Sequence, residues 1–81
     1  MDSYDKLYDN ITAMLFMQNC NPVLHKDEWY ITFDIKDDED FDRIKSAIHE
    51  EVELIFPEDT GRSRRIRVRR CKKKCTVNFM I

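Results

Sequence analysis

The clearest periodic signal in the chain is a strict two-residue alternation. Trp29, Ile31, Phe33 and Ile35 are separated by Tyr30, Thr32 and Asp34, the period of a strand with one face buried and the other open. The odd positions face a core, which leaves Tyr30, Thr32 and Asp34 outside. Upstream, Tyr4, Leu7, Tyr8, Ile11, Met14 and Leu15 recur at helical spacing. Asp2 or Ser3 supplies the cap, and the turn-forming Asn19 to Pro22 closes a helix over 3–19. Residues 13–17 are apolar almost all the way round. Phe16 and Met17 lie off the main stripe and are assigned to the core, the alternative being an exposed patch for a partner or a second copy.

A second helix opens at Asp37. Its inward stripe is Phe41, Ile44, Ile48, Val52 and Ile55, and the carboxylates of residues 37–40 sit where the helix dipole favours them by about 0.3–1 kcal/mol each. Glu39 with Arg43, and Asp42 with Lys45, are spaced to pair along the helix. Residues 52–56 also alternate like a strand. No Gly or Asn breaks the helix before them, so it continues to about Ile55 and stops at Pro57. A loop with Gly61 as hinge leads to a hairpin. Ile66 and Val68 alternate with Arg65, Arg67 and Arg69, residues 72–74 turn the chain, and Val77, Phe79 and Ile81 alternate with Thr76, Asn78 and Met80. The expected fold is α+β, with two helices packed on one face of a small, mostly antiparallel three-stranded sheet in the order α-β-α-β-β. The whole of 1–81 forms one domain, an acidic helix-strand-helix part (1–60) followed by a basic β-hairpin (61–81).

Charge sharpens this division. Residues 1–60 hold all sixteen acids against five bases, a sum of −11, while 61–81 hold nine bases and no acid, a sum of +9. The formal net charge of −2 conceals both. Surface charge is therefore the natural candidate for what the protein presents to a partner.

In the hairpin, Arg65, Arg67 and Arg69 would stand in a row about 7 Å apart. Arg62, Arg64 and Arg70 flank them, and Lys72, Lys73 and Lys74 crown the turn. Guanidinium groups grip phosphate in a bidentate fork, and neutralising several phosphates gives strongly salt-dependent binding without sequence readout. Tyr30 is the only outward aromatic available to stack on a base. One or two lysines would be enough to protect an edge strand from pairing, and nine cations in thirteen residues exceed that need. The expected function is a small non-enzymatic protein whose basic hairpin contacts a nucleic-acid backbone with little sequence preference.

Three other counter-charges are compatible with the pattern. The partner could be an acidic surface on a nucleic-acid-handling protein, or the acidic helix of a second copy, giving homo-oligomers through opposite charge faces. The third is internal, with the acidic helix lying beside the arginines. Asp37, Asp38, Glu39, Asp40, Asp42, Glu50 and Glu53 form an acidic face of their own, read first as a solvated, well-capped helix. Read more sharply, they mimic phosphates and make the protein a regulator or inhibitor of a defence system or nucleoprotein complex, by analogy of size and charge with small phage inhibitors.

Chemistry beyond binding has little to stand on. A chain of 81 residues with 42% apolar content buries only about 60–65% of its unfolded surface, so no enclosed substrate chamber or small-molecule substrate is expected. One glycine excludes a phosphate-cradling loop. His25 and His49 are far apart, and His49 is placed on an exposed acidic face with a raised pKa. No enzyme activity and no cofactor are expected. Cys20, His25, Cys71 and Cys75 are zinc ligands by type, but Cys20 is better read as a small buried hydrophobe. Cys71 and Cys75 would face each other across the hairpin mouth. No apolar run approaches the roughly 20 residues of a membrane span, the start of the chain lacks the order of a secretory signal, and three cysteines suggest no disulfide framework. A cytoplasmic setting without membrane contact follows as the expectation.

Overall fold

Local chemistry sets the element boundaries in the computed structural model, which describes residues 2–58 and 64–81. Helix α1 (Ser3–Met17) begins where the Asp2 side chain accepts the Tyr4 N–H at 3.0 Å. It ends as Gln18 caps the last turn and Asn19 takes a positive φ of 58°, a conformation asparagine tolerates well. Helix α2 (Asp38–Ile55) begins with two interlocked caps. Asp37 accepts the Asp40 N–H at 2.8 Å, and the Asp40 carboxylate accepts the Lys36 N–H at 2.9 Å. Residues 52–55 are helical, so the alternation within 52–56 does not make a strand.

The sheet has four strands, β1 (Val23–His25), β2 (Tyr30–Asp34), β3 (Ile66–Cys71) and β4 (Lys74–Phe79), ordered β1-β2-β4-β3 with every pairing antiparallel. The expected three-stranded sheet is corrected by β1. Three residues are too short to show an alternation, and β1 exists because Val23, Leu24 and His25 pair in register with Thr32, Ile31 and Tyr30. A single 3₁₀ turn (Lys26–Glu28) joins β1 to β2. Trp29, expected in the strand, ends that turn in the left-handed region with φ 58° and ψ 50°. Such a backbone costs a bulky residue about 1–2 kcal/mol, and its ring offsets this by edge contacts with Tyr4, Tyr8 and Phe79.

One core joins both helices to one face of the sheet. Leu7, Tyr8, Ile11 and Leu15 of α1 and Ile44, Ile48 and Val52 of α2 meet Ile31, Phe33, Ile66, Cys75, Val77 and Phe79. Each fully buried apolar side chain here contributes about 1.5–3 kcal/mol. Phe16 and Met17, assigned to the core from sequence, are 57% and 81% exposed. They fall on the side of α1 turned away from the sheet, so their apolarity does not reach the core. No helix among the described residues is long and apolar enough to cross a membrane.

Candidate functional site on the open face of the sheet

Pairing register places outward side chains in rows across the strands. One row reads His25, Tyr30, Asn78, Arg67, and the next reads Val23, Thr32, Thr76, Arg69. A third brings Asp34, Lys74 and Cys71 together. These positions alternate with the buried ones, so they share the face opposite the helices. Arg67 and Arg69 are exposed on the outermost strand, as the alternation predicts.

Arg65 leaves the predicted row. Its guanidinium lies 3.8 Å from the centre of the Phe56 ring and reaches Glu58 at 3.7 Å, held at the end of α2 by a cation–π contact. Arg70 has the opposite parity to Arg67 and Arg69. It projects past the sheet end onto α2, bonding Asp38 at 2.7 Å over the Phe41 ring, while its Nε donates to the Lys72 carbonyl at 2.7 Å. Lys74 pairs with Asp34 at 2.6 Å across β2 and β4. The internal counter-charge anticipated from sequence, an acid of the second helix beside the arginines, is met at Arg70 by Asp38, whereas Arg65 and Lys74 pair with Glu58 and Asp34 outside that helix.

No ion pair engages Arg64, Arg67, Arg69, Lys72 or Lys73 among the described residues. Lys72 and Lys73 form the two-residue hairpin loop between the paired Cys71 and Lys74. Lys72 has φ 58°, so a side chain with no special tolerance of that region occupies the tip. Arg62 lies outside the described residues, as do Asp59, Gly61 and Ser63.

Tyr30 stands on the open face as expected, and its neighbour there is His25, singled out from sequence only as a zinc candidate. The His25 ring stacks on Tyr30 with centroids 4.3 Å apart and planes 13° from parallel. From beneath, the Tyr8 hydroxyl donates to the Tyr30 carbonyl at 3.0 Å and accepts the His25 N–H at 3.1 Å. A single core side chain thus fixes the backbones of both stacked residues. Burial raises the Tyr8 pKa against the opposing pull of the His25 N–H and Lys26. The signal for His25 depended on β1, which periodicity does not reveal.

The acidic residues are largely helix surface. Asp37 and Asp40 are spent on capping, and Arg43 bonds Asp40 and Gln18 rather than the expected Glu39. The Lys36 amide and Arg43 hold the Asp40 carboxyl below its ordinary range, and Lys74 with Asn21 does the same for Asp34. Asp38 meets Arg70, whereas Glu39, Asp42, Glu50 and Glu53 are exposed. His49 contradicts the expected raised pKa. It is half-buried, and burial with the nearby Lys45 lowers its pKa against the pull of Glu53.

The sulfur sites also differ from the sequence reading. Cys75 is in the core and Cys71 lies on the open face, one register step and one sheet face apart, so they do not oppose each other across the hairpin. Burial raises the Cys20 and Cys75 thiols. With Cys20 and Cys75 inside, and His25 and Cys71 outside at different strands, the four candidates do not converge. No group of three metal-competent residues forms among the described residues. Comparison with family models, with curated proteins and with solved structures finds no match to the chain.

Proposed function

We propose that the protein binds a nucleic-acid backbone through Arg67 and Arg69 on the open face, with Arg64, Lys72 and Lys73 flanking them, and with little preference for sequence. The observation that carries this reading is the division among the cations. Arg65, Arg70 and Lys74 meet acids of the same chain, while Arg67 and Arg69 stand beside each other on an exposed strand and no carboxylate pairs with them among the described residues. One or two charges would protect the edge strand β3, and Arg64, Lys72 and Lys73 bring the cations without an ion pair among the described residues to five. The acidic helices pack on the other side of the sheet, so a polyanion approaching the open face meets the cations first.

The salt dependence of binding tests the proposal. Affinity for a short duplex is expected to fall with salt at a log–log slope of about −0.9 per phosphate neutralised. The double change Arg67→Glu and Arg69→Glu should abolish binding without altering the circular dichroism spectrum. Absence of binding at low salt would rule the proposal out.

A second reading rests on a different observation. Phe16, Met17 and Leu54 are 57%, 81% and 73% exposed, and Met17 and Leu54 border one groove with Met14 between α1 and α2. A regulator that docks on a nucleic-acid-handling protein would use such a surface together with the acidic helix. A lysate pull-down that recovers one partner after nuclease treatment, and loses it with Met17→Glu, would favour this reading.

A further inference from the structure

The open face carries more than cations. The His25 ring, on the β1 side of Tyr30, covers one face of the tyrosine ring, so strand order puts β4 on the side of the other face, with Asn78 paired to Tyr30 and Arg67 paired to Asn78. Two strand spacings, roughly 10 Å, separate Tyr30 from Arg67. A flat ring between two partners needs two contact distances of about 3.5 Å each, and the long Arg67 side chain can lean in to take up the difference. The Asn78 amide offers a donor and an acceptor at the floor of this space. The Tyr8 hydroxyl holds the backbones of His25 and Tyr30 together from the core side, so the stack is organised before any ligand arrives.

We infer that this slot accepts an unpaired nucleobase, and that the polyanion of the proposed function is a single-stranded nucleic acid; the inference rests on that reading. The base stacks on the free face of Tyr30, its edge meets the Asn78 amide, and the Arg67 guanidinium closes the far wall. Arg69, about 7 Å along the same strand, takes the adjoining phosphate. Bases within a duplex are already paired and stacked, so they cannot enter without being pulled out. Stacking is indifferent to base identity because every base has a π-face, in keeping with little sequence preference.

The test uses the full chain at low salt and three probes: an oligothymidine of about ten nucleotides, an abasic strand with the same phosphates, and a duplex of the same length. The base-bearing strand is expected to bind more tightly than the abasic one by roughly 5- to 150-fold, the effect of one stacked base. Tyr30→Leu should erase that preference while leaving the abasic affinity unchanged, and Tyr30→Phe should retain it. His25→Ala, on the short edge strand, serves as a second variant if Tyr30→Leu does not fold, and it should weaken only the base-bearing complex. Equal affinity for the two single strands, a preference that survives both variants, or tighter binding of duplex than of oligothymidine would overturn the slot and leave backbone binding standing. Failure to bind any of the three probes would overturn both.

Discussion

Arg67 and Arg70 lie three residues apart and have opposite fates. Arg70 bonds Asp38 and lies over Phe41, while Arg67 stands on the open face in the Tyr30 row. Strand alternation made the outward position of Arg67, Arg69 and Tyr30 legible in sequence. It could not reveal where Arg65 and Arg70 end, because their partners Phe56, Phe41 and Asp38 belong to α2 and a guanidinium reaches past its own strand. His49 was obscure for a related reason: neighbouring glutamates in sequence suggested a charged surface, whereas packing half-buries the ring. The most demanding single residue is Tyr8, whose hydroxyl serves two backbone groups at once. Tyr8→Phe should cost about 1–3 kcal/mol in urea unfolding, since the His25 N–H and the Tyr30 carbonyl lose a shared partner. A loss below the error of the measurement would show that water replaces it.

At the scale of elements, both helices, β2 and the hairpin were legible because each shows several turns or pleats of its period. Strand β1 was not, since three residues carry no period and its existence depends on β2. The exposure of Phe16 and Met17 was equally hidden, because apolarity on every side of residues 13–17 does not say which side meets the core. The hairpin loop offers a test of what its sequence serves. Of the two loop residues only Lys72 holds a positive φ, 58°, a first-position geometry that glycine adopts with less strain. Lys72→Gly should therefore raise stability by about 0.5–1 kcal/mol, the strain relieved less the extra freedom glycine has in the unfolded chain. It should weaken polyanion binding by no more than one contact. A destabilised variant would mean that the Lys72 side chain contributes packing at the hairpin tip.

For the whole molecule, the charge boundary at Gly61 becomes a difference between layers. The helical layer carries most of the acids, and the open face carries the arginines that have no ion pair among the described residues. Acid should loosen this arrangement in two steps. A depressed histidine pKa means that the unfolded chain binds the proton more readily. The His49 contribution is therefore full above about pH 6.5 and is lost as pH falls through the lower folded value. The carboxyls of Asp34 and Asp40 are also depressed. Their contributions are full above about pH 4 and are lost as pH falls through the folded values. Urea midpoints at pH 7.5 and 5.5 should differ less in His49→Gln than in the unaltered protein, and an equal difference would remove His49 as the source of the first step.

The division of the cations is tested most directly by comparing salt slopes among three proteins binding one duplex. The slope should become shallower by about 1.8 when Arg67 and Arg69 are both changed to Ala, at roughly 0.9 per phosphate contact. It should be unchanged in Arg70→Ala, whose guanidinium is engaged by Asp38. Equal slopes for all three proteins, or a larger change in Arg70→Ala, would contradict the account.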